Sequence, residues 1–224
     1  YGDDFTSEND ADFDRLFRDQ LRYVYQMLDL EVPSELDVSI MKERLPKVPF
    51  EPPQRLVKPR IDGRSDYYYE WSGAGVYRNT GAHGSMFENT RYVDEIRVGF
   101  DLENLYVRIG PGPDLLAEMA GVRFEFTIRS DDARHSVQVE TGDGVSGQIS
   151  SNRSSGRLPL ELVAVYEVVE FAVPFELLDA RPGDGLSLSL SIWDDRMERE
   201  RHPPHGGFEI EVPDESFEAV NWMV

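Results

Sequence analysis

From about residue 95 onward, apolar residues recur at every second position. Ile96, Val98 and Phe100 alternate with Glu95, Arg97 and Gly99, and Leu105, Val107 and Ile109 alternate with Tyr106 and Arg108. Val122, Phe124, Phe126 and Ile128 continue the pattern, as do Val137 with Val139, and Val169, Phe171 and Val173. Leu186, Leu188, Leu190 and Ile192 alternate with serines and Trp193, and Phe208, Ile210 and Val212 close the series. A period of two places alternate side chains on opposite faces of a strand, so these segments read as antiparallel strands with one buried and one solvated face. Turn signals such as "DLEN", "RSDD", "TGDG" and "ARPGDG" separate them. Many short strands at this spacing predict a mainly β fold, an antiparallel β-sandwich over residues 61–224. "PFELLDA" reads as a single helical turn between strands.

The first sixty residues follow other rules. Phe13, Leu16, Phe17, Leu21, Val24, Met27 and Leu28 have the three-four spacing of an amphipathic helix over about residues 6–30. Ser7 with Asp10, or Asn9 with Asp12, suits its N-terminal cap. Such a stripe must be covered by the sandwich, by another copy, or by another domain. Six prolines between Pro33 and Pro59 remove backbone donors, so residues 31–60 read as an extended connector running along a surface. Its apolar residues Val48, Phe50, Leu56 and Val57 call for something to lie on.

Composition narrows the function. A net charge of −20 opposes binding to phosphates, which disfavours nucleic acid and anionic membranes as partners. No apolar run approaches the roughly 18 residues of a membrane-spanning helix, and the first residues carry no charged-then-apolar export signal. The absence of cysteine excludes disulfides and thiolate metal sites. It leaves the compartment undecided, with the cytoplasm as the default expectation. Three of the 23 basic residues are lysine (Lys42, Lys47, Lys58), an Arg-rich usage that speaks of origin rather than function.

Several residues are candidates for chemistry. Asp3, Asp4, Glu8, Asp10, Asp12 and Asp14 form the densest acidic group, but acids at a helix start are favoured by its dipole alone. A pyranose presents C–H groups that stack on an aromatic face. Trp193, on the serine face of its strand, and Trp71 with Tyr77 in "YYYEWSGAGVY" are therefore the candidate carbohydrate contacts, each also readable as a packing residue. His83 reads as a solvated loop residue. Asp101, Glu103 and Asn104, then Asp131 with Asp132, and Asp194 with Asp195 offer oxygen ligands suited to calcium, yet each also reads as an ordinary Asx-rich turn. His202 and His205 are too loosely set for zinc. No metal site or cofactor is expected, since haem would need axial ligands that the sequence does not place. "WSGAG" lacks the central serine and strand–turn–helix context of a nucleophile elbow.

Two stretches carry a resemblance. "YGDDFTSENDADFDRLFRDQLRYVYQMLDLEVPSEL" resembles the final helical part of the catalytic region in glycoside hydrolase family 57, the α-amylase/α-mannosidase type. "YYYEWSGAGVY…GSMFENTRYVDEIRVGFDLENLYVRIG" is similar to the β-sandwich module that follows in those proteins, and "FEIEVPDESFEAVNWMV" fits its end. Residues 1–30 would then be the helical end of a catalytic region. The resemblance implies that Tyr1 follows a distorted barrel bearing a glutamate nucleophile and an aspartate acid/base, about 5 Å apart for retaining hydrolysis. Both groups would lie upstream, so it assigns no catalytic residue to this chain. "IDGR…VGFDLENLYVRI…VEFAVPFELL…RPGDGLSLSLSI" also resembles family 9 carbohydrate-binding modules and DOMON-like sandwiches. The resulting expectation is a non-catalytic C-terminal accessory domain of an α-glucan-active enzyme, docking on the upstream catalytic domain as its partner. The alternative is a carbohydrate-binding module that holds an α-glucan on an aromatic patch.

Overall fold

The computed structural model describes residues 10–39, 48–65, 68–79, 92–112, 122–131, 133–141, 145–151, 155–194 and 196–221. The chain is mainly β, with two antiparallel sheets preceded by a helix and a proline-rich segment. One sheet runs, edge to edge, through β1 (Phe50–Glu51), β2 (Gly75–Arg78), β3 (Val93–Phe100), β4 (Asn104–Pro111), β10 (Val169–Pro174) and β9 (Val163–Val165). The other runs through β12 (Met197–His202), β11 (Gly185–Asp194), β5 (Val122–Arg129), β6 (Arg134–Thr141), β7 (Val145–Ser151) and β8 (Ser155–Arg157). The last strand, β13 (Phe208–Glu211), pairs with the first half of β11. The expected helical turn of "PFELLDA" is a 3-10 turn over Phe175–Leu178.

The alternating apolar residues meet between the sheets. Ile96, Val98, Phe100, Val107, Phe171 and Val173 from one sheet and Phe124, Phe126, Ile128, Leu188, Leu190 and Ile192 from the other are buried in one cluster. Phe126 meets Phe171 across the sandwich edge to face, with ring centroids 5.5 Å apart at 71°, the geometry that sets a positive ring edge against a negative face.

The outer face of the first sheet departs from simple alternation. Gly99, Tyr106, Glu170 and Ala172 occupy positions that the period assigns to solvent, yet all are buried. The end of the segment read as a connector, with residues 61–65 and 68–74 that follow it, covers them. Its strand β1 adds to β2, with Phe50 opposite Tyr77. Val57 donates its N–H to the Phe100 carbonyl at 2.9 Å, and Gln54 donates to Gly73 at 2.8 Å. Val57, Trp71, Ala74, Tyr106 and Ala172 form a second buried cluster. Gly99 permits this approach, because a Cβ there would lie 2.3 Å from Val57 Cγ2. Residues 50–65 and 68–74 are thus a strap belonging to the sandwich, and Val48, Phe50 and Leu56 pack on the main core. The surface those apolar residues required is supplied by their own chain.

Helix α1 (Asp10–Met27) forms where the three-four spacing predicts it. Its partner, however, is the 3-10 turn Ser34–Asp37 that follows, and the contact is polar. Asp14 accepts from Arg18 Nε at 3.1 Å and from Ser39 Oγ at 2.7 Å. Arg18 and Arg22 both donate to the Leu36 carbonyl, and Arg22 also pairs with Asp37 at 2.8 Å. The apolar stripe faces outward: Phe13, Leu16, Phe17, Val24, Met27 and Leu28 remain between 48% and 69% exposed. Of the three covers expected for this stripe, the sandwich is not the one seen among the described residues, because the polar side of α1 is the side engaged by its own chain.

Candidate functional site

Trp71 and Tyr77 do not form an aromatic platform. Trp71 is 2% exposed and Tyr77 is 1% exposed, so neither offers a ring face on which a sugar could stack. Trp71 closes the 3-10 turn Tyr68–Trp71 and lies under the strap. Tyr77 points between the sheets, 5.0 Å from the ring of Phe208. Both have polar atoms that burial obliges to find partners, and those partners define two buried polar centres among the described residues.

The first centre is Glu170. Its carboxylate accepts the backbone N–H of Asp62 at 3.2 Å and of Gly63 at 3.0 Å, and the indole N–H of Trp71 at 3.1 Å. Arg108 lies 3.8 Å away on the neighbouring strand. Burial raises the Glu170 pKa, although all four of these groups pull it down. Four residues distant in sequence thereby converge on one side chain, and the carboxylate is sealed from any substrate. Just outside it, Glu167 takes the N–H and hydroxyl of Ser65 at 3.0 and 2.7 Å, which lower its pKa.

The second centre lies between the sheets at the β2–β12 side. His202 Nδ1 lies 3.3 Å from the Tyr77 hydroxyl, and its Nε2 lies 3.0 Å from Glu200 Oε1. Glu200 accepts from Asn79 Nδ2 at 2.9 Å and from the backbone N–H of Tyr92 and Val93 at 2.7 and 3.1 Å. Burial, with the Glu200 charge second, pushes the Tyr77 hydroxyl up to about 12. A tyrosine, a histidine and a carboxylate in line resemble an acid–base relay, but His202 is 1% exposed and no substrate reaches it. The cluster joins the two sheets.

Trp193 is the remaining aromatic candidate. It stands opposite Arg123 on β5 and Glu198 on β12, beside a register shift at Ile192/Trp193. The Arg123 guanidinium sits 5.4 Å from the ring centroid, so a cation already occupies one face of the ring. Its indole N–H is buried without an acceptor.

The turn acids behave as ordinary turns. Asp101 accepts the N–H of Glu103 and Asn104 at 2.8 and 2.7 Å and the Tyr106 hydroxyl at 2.8 Å. Asp194 pairs with Arg199. Among the described residues no group of three His, Asp or Glu side chains is placed to hold a metal ion, and no helix is long and apolar enough to cross a membrane. His205 is exposed beyond β12. Asp3, Asp4, Glu8, His83, Asp132 and Asp195 lie outside the described residues.

Sequence reasoning missed Glu170 and Glu200. A signal for Glu170 was available, because it is the lone charge inside "VVEFAVPF", and a charge within an apolar run is buried with partners. Glu200, in "RMERERH", carries no such mark. Compared with protein-family models, with curated proteins and with solved structures, the chain matches none of them.

Proposed function

We propose that this chain is a non-catalytic accessory module of an α-glucan-active enzyme resembling glycoside hydrolase family 57, and that it docks on the catalytic domain through the strap side of its first sheet. One observation supports this reading above others. Tyr69, Leu160 and Tyr166 are 87%, 73% and 67% exposed; the first belongs to the strap and the other two lie in turns that meet it. Tyr69 lies in the turn that ends at Trp71, Tyr166 packs against Gly63, and Leu160 opens the turn whose Leu162 joins the strap cluster. Large apolar side chains left in water on a strongly acidic body suit an interface. The clamped backbone beneath them, held by Glu167 and Glu170, reduces the ordering that docking costs.

The carbohydrate-binding alternative loses Trp71 and Tyr77 to the interior and keeps Trp193 with one ring face taken. Two assays on the purified chain test the choice: turnover of maltooligosaccharides and soluble starch, and affinity electrophoresis in starch, glycogen and mannan gels. The accessory reading expects neither turnover nor retardation. Turnover that disappears in the Asp10 or Asp12 variant would overturn it in favour of an enzyme. Retardation abolished by Trp193→Ala would overturn it in favour of a binding module.

A further inference from the structure

We infer that α1 is a self-association surface, through which two copies of the chain pair with their helices antiparallel. This goes beyond the accessory reading and does not depend on it. The polar side of α1 is already occupied, since Asp14, Arg18 and Arg22 hold Leu36, Asp37 and Ser39. The apolar stripe cannot turn inward without breaking those bonds, so it must be covered from outside. Along the stripe from Phe13 to Leu28, helical spacing places a single polar residue, Gln20, near the middle.

Area and symmetry favour a second copy. Phe13, Leu16, Phe17, Val24, Met27 and Leu28 each leave about half of their surface in water. At about 100 Å² apiece they give about 600 Å² per copy and about 1,200 Å² per pair, which reaches the range of specific interfaces. A two-fold axis through Gln20 sets Phe13 against Met27 and Leu16 against Val24 of the other copy, a self-complementary match of apolar side chains. The antiparallel sense opposes the two helix dipoles and separates the acid-rich first turns, which a parallel pair would place side by side. Asp10, Asp12, Asp14 and Asp19 against Arg15, Arg18 and Arg22 leave the helix at 3 − 4 = −1, so repulsion at the contact itself is small. The net charge of −20 on each copy adds a long-range repulsion that salt screens.

Sedimentation velocity on the whole chain over about 1–100 µM, the concentration range in which an interface of this size associates, tests the inference. The expected result is a monomer–dimer equilibrium that tightens with added salt. Phe17→Glu and Val24→Glu, both at exposed positions, should each weaken it at least about tenfold, the effect of a charge left on an apolar contact, with the thermal unfolding of the sandwich unchanged. Tyr69→Glu, on the other exposed patch, should leave it unaltered. A chain that stays monomeric across the range would overturn the inference and return the stripe to a different protein surface. A dimer indifferent to both α1 variants, or dissolved by Tyr69→Glu instead, would also overturn it.

Discussion

Trp71 donates its indole N–H to Glu170 at 3.1 Å, tying the end of the strap to an inner strand of the first sheet, 99 residues further along the chain. The same carboxylate holds Asp62 and Gly63, so one side chain fixes both halves of the segment. Glu170→Ala leaves three buried donors without an acceptor. It should cost about 3 kcal/mol, read as a lower urea midpoint.

The pH dependence of Glu170 has a defined sign. Burial holds its folded pKa above the ordinary 4.5. Its contribution to stability is therefore full below about 4.5 and is lost as pH rises through the folded value. The stability advantage of the wild type over Glu170→Gln should shrink as pH is raised above 4.5. An advantage that grows instead would mean that the three donors and Arg108 outweigh burial and hold the carboxylate ionised.

His135 shows the opposite sign. It stands on β6 on the same face as Val137 and Val139, is 7% exposed, and has the Leu178 carbonyl and Asp179 as its polar neighbours. Burial lowers its pKa from 6.5, although the Leu178 carbonyl and Asp179 oppose the shift. The unfolded chain takes up this proton first, so stability present above about 6.5 is lost as pH falls below it. His135→Phe should flatten the acid limb of the stability curve below about 6.5. An unchanged limb would contradict this.

Gly99→Ala should loosen the strap and little else. The new methyl would meet Val57 Cγ2 at 2.3 Å and Ala74 Cβ at 3.3 Å, which costs about 1–3 kcal/mol as overpacking. Tryptophan fluorescence should report a wetter Trp71 before the second sheet unfolds. A single unchanged transition at the wild-type midpoint would contradict the close approach described.

The Phe126–Phe171 contact joins the sheets. Phe126→Ala should cost about 3–5 kcal/mol. A double-mutant cycle with Phe171→Ala should give a coupling of about 1 kcal/mol. Strict additivity would place the two rings out of contact.

The sheets were legible because hydrophobic burial alone decides them. Leu186 to Ile192 and Val122 to Ile128 can hide their apolar side chains in one register only. The strap was half legible. Prolines marked it as extended, but its pairing with β2 brings Glu51 and Phe50 close to Gly75, and its cover over the sheet brings Val57 onto Gly99, contacts that depend on distant residues having no side chain. Strands β7, β8, β9 and β12 went unread because serines, glycines and charges fill them, and their pairing is inherited from neighbours. The placement of Trp71 and Tyr77 was not legible either. An aromatic residue near glycines reads alike whether its polar atom meets solvent or a distant glutamate such as Glu170 or Glu200.

Native-state hydrogen exchange on the dilute chain tests most directly the claim that the former connector is part of the body while α1 is not. The amides of Gln54, Val57 and Gly63 should open together with those of β3 and β10, near the global unfolding free energy. Amides in the middle of α1 should exchange far earlier. A strap that exchanges as fast as α1, with both sheets still protected, would contradict the account.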